Sequence, residues 1–174
     1  VRCALGIDIR VPENGTSIPF VCGHLPFLPM RPASVDLLTL RFVVEHLEDI
    51  ARDFSEVERV LRPGGHVVIL TTNSESPLIL FPRLLPFALK NWILRTMYKV
   101  DESDIFPTFH RFNSIRVMKR GIGRLRLERF YAIQDANFVR RWIFVPFLAW
   151  HVLTRPKPLQ VLRTNILSVF VKHS

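Results

Sequence analysis

An α/β fold, with a mostly parallel sheet covered by helices, is what this sequence predicts, and three neighbouring features carry the prediction. Over Asp53 to Arg62, the residues Phe54, Val57, Val60 and Leu61 fall on one helical face while Glu56, Glu58, Arg59 and Arg62 lie largely off it. Pro63 cannot continue that helix, and Gly64-Gly65 supply the positive-φ freedom for a reversal. His66-Val-Val-Ile-Leu70 is then a short apolar, β-branched run, as a strand buried on both faces requires.

The stretch before this helix reads as strands joined by loops. Ala4-Leu-Gly-Ile-Asp8-Ile9 is a strand ending in a carboxylate, and Phe20-Val-Cys-Gly23-His24 is a second strand. Leu28-Pro-Met30 and Ala33-Ser-Val-Asp36 connect to a third, Leu37-Leu-Thr-Leu40, which is followed by Arg41-Phe-Val-Val-Glu-His-Leu-Glu-Asp49. Ligands of such folds bind outside the carboxyl ends of the parallel strands, where the loops diverge. Each of these features sits at such an end.

In order and spacing, residues 4 to 73 resemble the class I S-adenosylmethionine-dependent methyltransferases, of the type 11 kind. The resemblance implies a Rossmann-like three-layer αβα sandwich and S-adenosyl-L-methionine as cofactor. It also implies a set of contacts. Asp8, with Ile9 beside it, would stand at the ribose, because a carboxylate can accept both hydroxyls; a solvated strand-end Asp is the plainer reading. Gly23, His24 and Leu25 would stand at the adenine. There the family pattern has Asp after Gly, and a neutral imidazole accepts the amino group less strongly than a carboxylate does. Arg41 and Phe42 would floor the cofactor and face the acceptor. The family's first strand and glycine-rich loop should precede Asp8 by roughly twenty residues. Only seven residues precede it here, with no Gly-x-Gly among them. The expectation is therefore an N-terminally truncated domain, its first strand and helix missing, whose flanking strands lose a common neighbour and which holds the cofactor weakly or not at all.

Two histidines are candidate bases. An unperturbed imidazole titrates near neutral pH, which suits His46 to general-base work; flanked by Val44 and Leu47 at a helix start, it reads more simply as a histidine that caps or packs. His110 is the second candidate. It lies with Asp104 and Arg111 in Asp101-Glu-Ser-Asp-Ile-Phe-Pro-Thr-Phe-His-Arg-Phe-Asn113, a loop leading to a helix capped near Asn113 or Ser114. In methyltransferases of this type that loop faces the active-site mouth. The ubiquinone-type O-methyltransferases carry a Glu-x-x-Glu-His metal site at the place of Phe42 to His46; Phe42 replaces its first Glu, so no metal is expected.

The 174 residues support one domain with a sizeable core. Cys3 and Cys22 fall in predicted strands and are expected as small core residues of a reducing compartment. No run of eighteen apolar residues and no signal-peptide pattern occurs, so the default expectation is a cytoplasmic protein, peripheral at the membrane if its basic half binds lipid. That half is distinct: residues 1 to 73 hold seven Arg against nine carboxylates, and residues 74 to 174 hold seventeen Lys or Arg against six. Phe81, Leu84, Leu85, Ala88, Leu89, Trp92, Ile93 and Met97 recur at helical spacing, with Pro82 and Pro86 placing the helix start near residue 86. A second apolar block, Trp142 to Trp150, is interrupted by Pro146 and flanked by Arg140-Arg141 and by Arg155 and Lys157. The two segments read either as a cap on their own domain or as a docking surface for anionic lipid. RNA is less favoured, because the cations are interleaved with long apolar stripes and no RNA-binding module is present.

Gly123-Arg-Leu-Arg-Leu-Glu-Arg-Phe-Tyr131 alternates at period two, and Thr164 to Lys172 is a final strand. The reading is a single domain over 1–174, with a cofactor-binding core at 1–73, cap segments at 74–122 and 132–163, and closing strands at 123–131 and 164–172. The resemblance implies methyl transfer to a small-molecule or lipid- or glycan-linked acceptor. An RNA methyltransferase and a non-catalytic binding remnant are the alternatives.

Overall fold

A computed structural model describes residues 3–11, 15–84, 107–134 and 141–173. The predicted helix is α1 (Ile50–Val60), started by Asp49, whose side chain accepts the Arg52 N–H. Phe54, Val57, Val60 and the following Leu61 are fully buried, so the apolar stripe read from the sequence is the face that meets the sheet. Among the described residues six strands carry the fold: β1 (Gly6–Asp8), β2 (Phe20–Cys22), β3 (Val35–Arg41), β4 (Leu61–Thr72), β5 (Leu125–Ile133) and β6 (Asn165–Lys172). They form two sheets. One is the parallel pair β1-β2; the other runs β3-β4-β6-β5, parallel between β3 and β4 and antiparallel on both sides of β6.

Among the described residues, β1 pairs only with β2 and β3 only with β4. Both therefore present an open edge, and Leu37 on β3 is exposed. The Pro63-Gly64-Gly65 reversal lies inside β4 and not before it. Val35 pairs with Leu61, then the register shifts and Leu37 pairs with His66. Gly64 takes a φ of +76°, and a Cβ on Gly65 would stand 2.9 Å from the Arg62 carbonyl oxygen, so the bulge needs both glycines.

The core joins both halves of the chain. Phe112 packs against Phe54 of α1 and Phe170 of β6, with ring centroids 4.9 and 6.0 Å apart. The closing strand is tied to the helix: Lys172 Nζ donates to the carbonyls of Glu58 and Leu61 at 2.7 and 2.8 Å, satisfying the carboxyl end of α1.

Several sequence expectations need correcting. Cys3 and Cys22 are exposed free thiols, because the two-stranded sheet does not bury them. A helix that the sequence did not predict, α2 (Pro77–Leu84), precedes that stretch, since Pro77 suits a first helical position and the Ser76 carbonyl accepts the Leu80 N–H at 2.9 Å; the helix expected to start near residue 86 lies outside the described residues. The remainder of the Phe81 to Met97 stripe lies outside the described residues from 85 onward, as does Asp104. Pro146 does not interrupt its segment but sits within a helix, α4 (Arg141–Leu153). The helix between, α3 (Ile115–Lys119), is capped by Ser114 and not by Asn113.

Candidate functional site

The carboxyl ends of β1 and β2 lie side by side, Asp8 opposite Cys22, with the Gly23 N–H donating to the Asp8 carbonyl at 3.0 Å. Asp8 is exposed, and its Oδ1 accepts the Arg10 N–H at 3.1 Å, which turns the carboxylate along the strand end. Ile9 beside it is 54% exposed. His24 folds onto its own loop: Nδ1 lies 2.8 Å from the Leu25 carbonyl oxygen, and the ring meets Phe27 edge-on. A carbonyl can only accept, so Nδ1 carries the proton when the ring is neutral, and Nε2 is left as an acceptor.

That loop is held by α1. Glu56 Oε1 accepts the Leu28 N–H at 2.9 Å, and Arg59 binds both Glu56 oxygens at 2.7 Å. The same guanidinium donates to the carbonyls of Met30 and Leu28. The Arg59 hydrogen bonds hold the Glu56 carboxyl below its ordinary range against the opposing push of burial, and the Leu28 N–H adds to them. From the sequence this pair reads as a solvated helix face; in the fold it clamps the 28–30 loop.

At the end of β3, Arg41 is exposed and Phe42 sits at a φ of +52°, with its N–H on the Leu70 carbonyl at 2.8 Å. A bulky residue in the left-handed region stores strain, and it turns the chain sharply into the 3-10 turn Val44–His46. His46 thus ends a tight turn and does not start a helix. Glu45 points inward and is buried, its Oε2 accepting from the Thr71 hydroxyl at 2.6 Å. Asn113 donates to the same Thr71 oxygen. The Glu45 carbonyl also takes the N–H groups of Phe109 and His110, at 2.7 and 3.3 Å.

This arrangement places the His110 backbone beside Glu45, one residue from His46. His46 Nδ1 lies 2.9 Å from the Pro107 carbonyl, which fixes the proton on Nδ1 in the neutral ring. His110 is half-buried at a φ of +52°, and Arg111 donates to the Glu48 carbonyl at 2.6 Å. An open hollow of about 280 Å³ separates this corner from the β2 loop, with Leu25, His46, Arg52 and Asp53 among its lining residues. A wider hollow of about 580 Å³ adjoins it between Glu48, Asp49, Ile50 and Arg111.

Asp53 is the site residue the sequence reading missed. It is buried in the first turn of α1, and burial pushes its carboxyl up from the ordinary range. Asp49 pushes it further, while Arg52 and His24 pull it back. Its place at the rim of the apolar stripe, directly before Phe54, is the only signal in the sequence.

Residues 7–69 match the family model of a methyltransferase domain. The fold is that of a class I S-adenosylmethionine-dependent methyltransferase. A probable S-adenosylmethionine-dependent methyltransferase of Mycolicibacterium smegmatis is 49% identical over 51 residues, which are 29% of this chain and 20% of that protein. A demethylmenaquinone methyltransferase of Roseiflexus castenholzii is 33% identical over 87 residues, 45% of this chain and 37% of that protein. The chain therefore spans well under half the length of these curated relatives. A crystal structure of a methyltransferase of this type from Methanosarcina mazei superposes with a TM-score of 0.59 at 14% identity, covering 97% of this chain and 81% of the other. The cofactor that this methyltransferase fold and family imply is S-adenosyl-L-methionine. Of the site residues expected from the sequence, Leu25 and His46 line the 280 Å³ hollow, whereas Asp8, Ile9, Gly23, His24, Arg41, Phe42 and His110 are not among its lining residues.

Proposed function

We propose that this chain contributes the adenosine-binding and acceptor-facing parts of a methyltransferase acting on a small-molecule acceptor, free or lipid- or glycan-linked. The observation that carries the reading is the hollow beside His46, which joins Leu25 and Pro26, just after the end of β2, to a positioned imidazole. The relative named for demethylmenaquinone supports a small-molecule acceptor.

Asp8 would take the ribose hydroxyls through its exposed carboxylate. His24 Nε2 would accept the adenine amino group, and Leu25, half-buried at the rim, would lie against the ring. Exposed Ile9 would flank the ribose. Arg41 and Phe42, at the carboxyl end of β3, would floor the cofactor. When bound, S-adenosylmethionine supplies an activated methyl group, so the protein's part is mainly alignment. His46 Nε2 takes the proton that the acceptor gives up; its ring is oriented for this by Pro107. His110, tethered through its N–H to Glu45, is the second candidate.

The test is titration of S-adenosylhomocysteine into the chain, followed by NMR and calorimetry. Wild type should bind weakly, and Asp8→Asn should reduce affinity about ten-fold, the value of roughly one charge-assisted hydrogen bond. Equal affinity in the two proteins, or no binding by wild type, would overturn the assignment of these residues to the adenosine half.

A further inference from the structure

The outward side of the helix α4 is apolar, against the pattern of a helix on a water-facing surface. Facing the protein are half-buried Phe144, Phe147, Trp150 and His151 and, just past the end of the helix, buried Thr154. The Thr154 hydroxyl donates to the Trp150 carbonyl at 2.8 Å, and Arg163, which reaches the Ala132 carbonyl of β5, lies 3.4 Å from the Thr154 oxygen. His151 and Thr154 therefore face the protein. The outward positions are Val145, Pro146, Leu148, Ala149, Val152 and Leu153, all exposed and none polar. At 100° per residue they fill an arc of about 160°. Val145, Leu148, Val152 and Leu153 are 63, 45, 54 and 58% exposed.

Charge identifies what this face meets. Residues 136–174 contain six Lys or Arg and no Asp or Glu. Arg155 and Lys157, just past the carboxyl end of α4, are exposed, and among the described residues neither has a carboxylate partner. We infer that the outward face of α4 docks on an anionic lipid bilayer, with Val145, Leu148 and Val152 entering the acyl boundary and Arg155 and Lys157 meeting the headgroup phosphates. An apolar stripe bordered by cations is the composition that interfacial helices use. A polyanionic nucleic acid would use the cations and leave the stripe in water. A second copy of this chain would bring the same cations against each other. The inference is independent of methyl transfer, and its test needs no activity.

The experiment is flotation of the purified chain with phosphatidylcholine vesicles, pure or carrying phosphatidylglycerol, across a salt series. Capture should require the anionic lipid and persist in part at high salt. Arg155→Ser with Lys157→Ser should weaken capture about thirty-fold, from ~1 kcal/mol per basic residue. Val145→Ser, Leu148→Ser and Val152→Ser together should weaken it about a hundred-fold with an unchanged circular dichroism spectrum. Should that triple variant misfold, Ala149→Cys in a Cys3→Ser, Cys22→Ser background, labelled with a polarity-sensitive fluorophore, replaces it; its emission should shift to the blue on anionic vesicles. Absence of capture at low salt, capture indifferent to these substitutions, an unshifted label, or a dimer that the serine variant dissolves would each overturn the inference.

Discussion

Thr71 and Thr72 are adjacent on β4, yet replacing each with valine should change stability in opposite directions. Valine keeps the branched shape and removes only the hydroxyl. At Thr71 the hydroxyl is fully buried, donates to the Glu45 carboxylate at 2.6 Å and accepts from Asn113, itself fully buried. Losing the bond to a carboxylate costs ~1.5–3 kcal/mol and losing the neutral one ~0.5–1.5, so Thr71→Val should destabilise by about 3 kcal/mol. For a chain of this size, at ~2–4 °C per kcal/mol, the melting temperature should fall by about 6–12 °C. The Thr72 hydroxyl oxygen is buried with no hydrogen-bond partner among the described residues, so Thr72→Val removes an unsatisfied group and should stabilise by about 1 kcal/mol. Urea unfolding followed by circular dichroism gives both values. A double-mutant cycle of Thr71→Val with Glu45→Gln should show coupling above ~0.5 kcal/mol. The reasoning fails if Thr71→Val lies within ~0.5 kcal/mol of wild type, or if Thr72→Val costs as much as its neighbour.

Asp53→Asn should stabilise the protein increasingly as pH rises. The folded carboxyl titrates above its ordinary 3.8, so wild-type stability is greatest below that value and falls as pH climbs through the window between the two. Urea midpoints of the two proteins should diverge from acid toward neutral pH and then run parallel; a constant gap would mean that ionisation is not the cause. Glu56→Gln has the opposite sign: the folded carboxyl titrates below 4.5, so its contribution is present above that value and is lost as pH falls through the folded one. The variant should be less stable at neutral pH, converge with wild type in acid, and exchange the Leu28 and Met30 amide hydrogens faster. Unchanged exchange at those amides would dissociate Glu56 from the 28–30 loop.

The elements with one strong period were legible in the sequence. Phe54, Val57 and Val60 recur on one face, and such a face has only one way to be buried. Runs such as Val67 to Ile69 are too apolar and too branched for anything but a covered strand. The strand-end residues Asp8, Gly23 and His24 were legible as a set because strand ends and loops alternate there in a fixed order. What escaped depended on partners far along the chain. Glu45 is buried because Thr71 and Asn113 reach it, and no local pattern encodes either contact. Phe112 reads as one more aromatic in a polar loop until Phe54 and Phe170 enclose it. The cysteines misled because apolar neighbours predict a strand, but only a second layer buries one. Phe42 in a left-handed conformation has no sequence signal, since bulky residues normally avoid it.

The place of β6 sets a schedule for assembly. It lies between β4 and β5, with Thr72 opposite Asn165 and His66 opposite Val171, so its partner on one side is made roughly a hundred residues earlier. During synthesis β4 can pair with β3 alone, and β5 has no sheet to join. The open edge of β4 and the Phe54 side of α1 must wait for β6, so the nascent chain carries unsatisfied backbone and apolar surface until β6 has been made. Ribosomes stalled before residue 165 should therefore hold a chain that proteases cut freely throughout α1 and β4, whereas release past Lys172, which ties itself to the end of α1, should confer protection in one step.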